Sequence, residues 1–175
     1  MGTIGGNIFS ASPAGDTLPP LYVLGAEVEL RSRSAGRRLP ISEFIAGPGQ
    51  TARQPGELVT GIRIPKAPRF NRHHYEKVGQ RRALAITIVS LAALIELTPG
   101  GLIHDIRLAW GSVGPTVVAA PTVEARLRGL PLALAVLQEA AADFRRALAP
   151  IDDIRATAEY RRMLAANLLL RLERP

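Results

Sequence analysis

At 175 residues the chain is long enough for one domain of ordinary size or two small ones, and 47% apolar residues can supply a core. It has no cysteine, which excludes disulfides, a thiolate nucleophile and any cysteine-held metal or iron–sulfur centre on this chain. The 22 basic and 15 acidic residues give a formal charge of +7, but the basic side chains are dispersed and aromatics are only 5%, so no stacking platform for nucleic acid is present.

In chain order, residues 1–20 are rich in glycine and proline and read as a loop region. Gly5 and Gly6 carry no Cβ, so the backbone there can turn tightly and approach a ligand. Thr3 and Asn7 flank them with short polar side chains, and successive amides in such a loop suit an anion. A plain turn is the better explanation of a lone glycine pair. Asp16 follows in the same loop and can accept hydrogen bonds from a sugar hydroxyl. Residues 26–31 alternate, with Val28 and Leu30 on one face, as a half-buried strand does. Ser34-Ala35-Gly36 turns it back onto residues 37–41, which predicts a hairpin. Ile62 and Ile64 alternate in a further strand that stops at Pro65, and Pro65 and Pro68 mark a boundary between two parts.

The second part reads as strands over residues 73–78, 85–97 and 102–113, with Thr98-Pro99-Gly100-Gly101 as a turn. Three sequential strands with short connections predict an antiparallel meander. Thr122 is placed to cap a short helix that Gly129 ends. Leu134, Leu137, Ala141, Phe144 and Leu148 fall at helical spacing on one buried face. Tyr160, Met163, Leu164, Asn167, Leu168 and Arg171 predict the face of a last helix. The fold class is α+β, with strands first and helices on one face. No run spans a bilayer: the longest nearly apolar stretch, residues 83–95, is short of the ~20 residues required. No secretory leader opens the sequence, which points to the cytoplasm.

The residues that carry chemistry elsewhere carry little here. His73 and His74 are adjacent, so on a strand they face opposite sides and do not chelate one metal. They read as surface residues, and His104 as a structural one. Asp152 and Asp153 read as preceding and capping the last helix rather than as an acid–base pair. Trp110 reads as core or interface. No serine elbow is present. No catalytic residue and no metal ligand is assigned.

The string Thr3-Ile4-Gly5-Gly6-Asn7, with Ala11-Ser12-Pro13 and Asp16, resembles the second flavin-binding motif of the molybdenum hydroxylases, the family of xanthine dehydrogenase and carbon monoxide dehydrogenase. Gly56-Glu57-Leu58-Val59 and Ile62-Arg63-Ile64-Pro65 resemble the end of that FAD domain. Tyr75-Glu76-Lys77-Val78 with Arg81-Arg82 resembles the start of the flavoprotein C-terminal domain, and Ile151-Asp152-Asp153, Arg155 and Tyr160-Arg161-Arg162 its closing signature. The resemblance implies a second FAD subdomain at residues 1–66, a small mixed or antiparallel sheet with short helices. It implies a C-terminal domain at residues 70–174, a three-stranded antiparallel sheet packed on a helical bundle. It implies FAD contacts from Thr3, Ile4, Gly5, Gly6, Asn7, Asp16, Val59 and Lys77. The implied activity is that of an oxidoreductase subunit, not active alone, whose FAD passes electrons from a partner's [2Fe-2S] clusters to an acceptor such as NAD. The molybdenum cofactor would sit on another subunit of the complex. In the family a first FAD subdomain precedes the second motif, whereas this chain opens at Met1 directly before it. The expectation is therefore the C-terminal part of an FAD subunit, truncated or split, with Val23, Leu24, Val28 and Leu30 left as an exposed apolar patch. A separate chain would carry the first subdomain. The alternative is a flavin-free structural or assembly module.

Overall fold

The computed structural model describes residues 3–66, 70–81 and 85–173. The opening region is not a loop: it holds two short helices, α1 (Ile4–Phe9) and α2 (Leu18–Val23). Thr3 is extended and caps α1, its hydroxyl accepting the Gly6 amide at 3.0 Å. Neither Gly5 nor Gly6 has a positive φ, so the glycine pair sits in a helical turn rather than a tight loop. In α2, Pro19 and Pro20 occupy the first turn, where a missing N–H removes no helical bond.

The hairpin forms as its alternation predicts. β1 (Glu27–Arg31) pairs antiparallel with β2 (Gly36–Pro40), with Leu30 opposite Arg37. After α3 (Ile41–Phe44) and the small ladder of β3 (Ile45–Gly47) and β4 (Gln50–Thr51), β5 (Leu58–Arg63) returns to the free side of β1. The sheet order is β2-β1-β5. Ile64, expected in the strand, lies just past its end and is exposed. The apolar patch expected at Val23, Leu24, Val28 and Leu30 does not exist. Val28 and Leu30 are 0% and 1% exposed, Val23 is buried and Leu24 half-buried. Val23, Val28 and Leu30 are covered from within the chain, in a core with Leu18, Leu21, Ile41 and Phe44 that also takes in Ala92 and Ala109 of the second part, and Leu24 lines a cleft at the junction.

That second part is built on an antiparallel meander of β6 (Arg72–Gly79), β7 (Thr87–Leu97) and β8 (Ile103–Gly111). Gly101, at φ +80, closes the turn between the last two, a conformation that favours glycine. A fourth, two-residue strand that the sequence did not announce, β9 (Val118–Ala119), extends the sheet to the order β6-β7-β8-β9. The expected boundary proline Pro68 and residues 83 and 84 of the apolar run lie outside the described residues.

Alternation gives this sheet two different faces. Leu91, Ala93 and Ile95 of β7 and Ile106, Leu108 and Trp110 of β8 face α4 (Pro121–Leu127), α5 (Leu134–Ala147) and α6 (Ala158–Leu170). Trp110 is fully buried, with its ring centroid 4.1 Å from that of Phe144 and its indole N–H on the Ala165 carbonyl at 3.2 Å. The other face carries Ser90, Ala92, Ala109 and Gly111, and α2 lies against it. A Cβ at Gly111 would stand 2.6 Å from the Ser90 hydroxyl and 3.1 Å from the Pro19 ring, which is why that position is glycine.

Two helix readings need correction. Thr122 does not cap α4. The cap position is Ala120, with Pro121 at the first helical position and Gly129, at φ +79, just past the end. The buried face of α6 is Arg161, Ala165, Ala166, Leu168 and Leu169, whereas Tyr160, Met163, Asn167 and Arg171 are exposed. The helix is rotated from the expected phase because an arginine, not a leucine, occupies its first inward position.

Candidate flavin site at the junction of the two parts

Asp16 is where the two parts of the chain meet through polar side chains. It follows a tight turn in which the Gly15 amide donates to the Ser12 carbonyl at 2.9 Å and the Leu18 amide to the Gly15 carbonyl at 3.1 Å. A Cβ on Gly15 would stand 3.1 Å from the Ser12 carbonyl oxygen and 3.2 Å from Asn7 Oδ1, so glycine lets the Asn7 side chain approach this turn. The Thr17 hydroxyl donates to Asn7 Oδ1, which ties the turn to α1. Asp16 Oδ2 accepts from Lys77 Nζ at 2.5 Å, and Oδ1 accepts from the Thr87 hydroxyl. Three segments distant in sequence thus converge: the glycine turn at residues 3–7, the loop at residues 15–17, and the adjacent strands β6 and β7.

The Lys77–Asp16 pair is partly open to water, and such pairs add about 0–1 kcal/mol to stability. Burial of α2 against the sheet, not this pair, holds the parts together. The pair leaves an accessible cation and carboxylate next to Thr17, whose hydroxyl is bonded to Asn7 of α1. In the first turn of that helix the Thr3 hydroxyl takes the Gly6 amide, and the amides of Ile4 and Gly5 have no acceptor within the helix. Nothing lies within 4 Å of where a Gly5 Cβ would stand, so a bulky anionic group can come close to this backbone.

Tyr75 sits two residues before Lys77, on the same face of β6. Burial pushes its phenol up to about 12, the negative charge of Asp16 adds to this, and the Ser90 hydroxyl opposes it in part. Beside it lies a cleft of about 440 Å³ between α2 and β6, lined by Pro20, Val23, Leu24, Phe70, His73 and Tyr75 among others. The Arg107 guanidinium is 5.0 Å from the centre of the Phe70 ring and donates to the Val23 carbonyl at 3.1 Å, joining β8 to α2 beneath the cleft.

The sequence-derived residues divide as follows. Asn7 and Asp16 come together with Lys77 through the bonds described, and Thr3, Ile4, Gly5 and Gly6 form the adjacent helical turn. Val59 lies on β5 opposite Leu30, half-buried against the N-terminal core, outside the hydrogen-bonded group. Thr87 and Thr17 were not singled out from the sequence, and Tyr75 was named only as part of a motif, with no role at the site. Tyr75 alone carried a signal, its i, i+2 relation to Lys77 on a strand. His73 is exposed, and His74 is half-buried with its ring nitrogen 3.5 Å from Glu76. His104, read as structural, is exposed and pairs with Glu96 at 3.2 Å on the surface. Asp152 accepts the Ala158 amide at the start of α6, as a capping residue does, while Thr157 takes the Tyr160 amide at 3.2 Å. Among the described residues no cluster of three histidine or acidic side chains is placed to hold a metal, and no helix is long and apolar enough to cross a membrane.

Comparison with known proteins gives this geometry a context. Residues 1–67 match the FAD binding domain in molybdopterin dehydrogenase, and residues 74–174 match the CO dehydrogenase flavoprotein C-terminal domain. The chain is 35% identical to the glyceraldehyde dehydrogenase medium chain of Sulfolobus acidocaldarius, over 98% of this chain and 60% of that one. It is 34% identical to the carbon monoxide dehydrogenase medium chain of Afipia carboxidovorans, over 98% of this chain and 59% of the relative. The structure of reconstituted CO dehydrogenase from Oligotropha carboxidovorans superposes with a TM-score of 0.90 at 32% identity, covering 98% of this chain and 59% of that chain. The chain therefore spans about three-fifths of the length of these relatives. Both family matches fall in order along one chain, and their two ranges meet in the structure at Asp16 and Lys77. The chain belongs to the FAD-binding medium-subunit family of the molybdenum hydroxylases.

Proposed function

We propose that the chain binds FAD where its two parts meet and serves as the electron-transfer component of a cytoplasmic molybdenum hydroxylase complex. The observation that carries this reading is the Asp16 carboxylate, held between Lys77 and Thr87 and next to Thr17, whose hydroxyl is bonded to Asn7 of α1. The residues present fit the cofactor: open space at Gly5 and the amides of the first turn suit a phosphate, the Asp16 carboxylate suits hydroxyls, and Lys77 supplies a cation. Val59 contributes an apolar wall. In this reading residues 1–66 and 70–174 are two domains that hold one cofactor.

FAD, when bound, supplies the redox chemistry, and the protein supplies binding and orientation. No side chain here needs to act as acid or base, and the Tyr75 phenol keeps its proton through the neutral range. In this reading the chain would hold and orient FAD so that the cofactor could pass electrons between a partner's [2Fe-2S] cluster and an acceptor such as NAD, while substrate oxidation would belong to a molybdenum cofactor on a further subunit. The remaining FAD contacts come from a first FAD subdomain, whether on the same polypeptide or on another. The test is an FAD titration of the chain, alone and with a first FAD subdomain added. Weak uptake alone and tighter, stoichiometric uptake with the added subdomain are expected. No uptake in either arm overturns the reading in favour of a flavin-free structural module.

A further inference from the structure

The closing signature of the chain places Arg161 in the interior. Arg161 is 2% exposed, and its guanidinium ties together three elements. Nη1 donates to the Ile88 carbonyl at 2.7 Å and to the Ser112 carbonyl at 3.0 Å, and Nη2 donates to Asp153 Oδ1 at 2.7 Å. Asp153 is in turn held by the Arg155 side chain and by the amides of Arg155 and Ala156 at 2.8 and 3.2 Å.

The two carbonyls are not arbitrary points. Ile88 directly follows Thr87, whose hydroxyl holds Asp16. Ser112 donates its amide to the Pro13 carbonyl at 2.9 Å and its hydroxyl to the Thr87 carbonyl at 3.3 Å. Ser112 has φ +64, a backbone state that a residue with a side chain keeps only where its surroundings fix it. Arg161 therefore clamps the start of β7 to the end of β8, and those two strand ends carry the anchor of Asp16 and of the turn before it. A buried ion pair is a poor way to add stability, since well-packed apolar residues do as well. A planar fork that reaches two carbonyls and a carboxylate at once fixes position, and a lysine ammonium does not reproduce that geometry.

We propose that Arg161 is a positioning residue for the Asp16 carboxylate, acting through Thr87 and Ser112 without touching a ligand. Its consequence for cofactor affinity rests on the FAD reading above. Its consequence for the Asp16 turn does not.

The test compares the full chain with Arg161→Lys and with Ser112→Gly. The second variant removes the hydroxyl but relieves the positive φ, so it keeps the fold. Hydrogen exchange is read at the Gly15 and Leu18 amides, with the β1 amides as control, and FAD affinity is titrated well below each melting temperature with a first FAD subdomain present. In both variants, exchange at Gly15 and Leu18 is expected to quicken about tenfold or more with β1 unchanged. FAD binding is expected to weaken about fivefold or more. Wild-type exchange and affinity in variants that merely melt earlier would overturn the proposal, leaving Arg161 a structural residue. If Arg161→Lys fails to fold, Asp153→Asn, which weakens the Arg161 fork at its carboxylate and leaves both carbonyl partners in place, decides by the same readings. Quickened exchange in a chain that takes up no FAD even as wild type would keep the clamp and remove the FAD reading instead.

Discussion

The two faces of the central sheet are built on opposite rules. The face toward α4, α5 and α6 carries large side chains, Leu91, Ile95, Ile106, Leu108 and Trp110, and every residue of that core comes from the C-terminal part. The opposite face carries Ser90, Ala92, Ala109 and Gly111, which bring little bulk of their own and let α2 come close. The N-terminal core is completed only by borrowing Ala92, Ala109 and Val117. One face is thus a self-sufficient core and the other a platform on which the first part docks, and Asp16 sits at the rim of that platform. The dependence runs one way: the N-terminal part needs the sheet, whereas the sheet has its own helical cover.

Paired core truncations test that asymmetry with the largest effect. Trp110→Ala and Phe44→Ala each empty a fully buried aromatic site, at about 3–5 kcal/mol. By hydrogen exchange in denaturant, Trp110→Ala should lower protection in both parts. Phe44→Ala should lower it in residues 27–63 and leave β6, β7 and β8 protected. Equal loss in the central sheet from Phe44→Ala would break the comparison. Gly111→Ala probes the platform itself. Its methyl group meets Ser90 and Pro19, and a cost of about 1–3 kcal/mol is expected in chemical denaturation, with exchange quickening in α2 before the helical face. Thr3→Ala removes the α1 cap and should cost about 1 kcal/mol, confined to the first turn.

Acid sharpens the comparison further. In the N-terminal part the Arg37 guanidinium, joined by the Gln54 amide, lowers the Glu57 carboxyl from 4.5 to about 2. In the C-terminal part burial acts to raise the Asp153 carboxyl, but hydrogen bonds from Arg155, Arg161 and nearby amides overcome it and hold the group well below the carboxylate range. Both groups have depressed folded values, so their contribution is present above the unfolded pKa and is lost as pH falls toward the folded one. For Glu57 that window runs from 4.5 down to about 2. Glu57→Gln should flatten the acid limb of unfolding reported from β1, and Asp153→Asn the limb reported from α6. A swap of these reporters would contradict the assignment.

Much of the scaffold was legible because its signals are local. Val28 and Leu30 alternate, residues 87–97 form a long β-branched run before a Pro-Gly-Gly turn, and Leu137, Ala141 and Phe144 keep helical spacing. The failures lie where tertiary contacts override local signals. Glycine and proline at residues 5, 6, 19 and 20 suggested a loop, yet a threonine cap and proline in a first helical turn are compatible with helices. The phase of α6 was missed because a buried arginine cannot be told from a surface one by its type, and only the carbonyls it meets turn it inward. The apolar patch was misplaced because its cover is assembled by tertiary packing, from Leu18, Leu21, Ile41 and Phe44 together with Ala92 and Ala109 far along the chain. Asp16 and Lys77 came from a resemblance, but their bond across 61 residues and the part of Thr87 are properties of the fold.

The central claim is that Asp16 and Lys77 form one flavin-binding unit across the junction, and a double-mutant cycle in FAD affinity tests it most directly. Wild type, Asp16→Asn, Lys77→Met and the double variant are titrated with FAD in the presence of a first FAD subdomain, and their thermal stabilities are measured in parallel. Each single change should weaken binding about tenfold, the double change little more than either one, since the two side chains act together. Stability should shift by less than about 1 kcal/mol, as for an exposed pair. Four chains with the same FAD affinity would contradict the account.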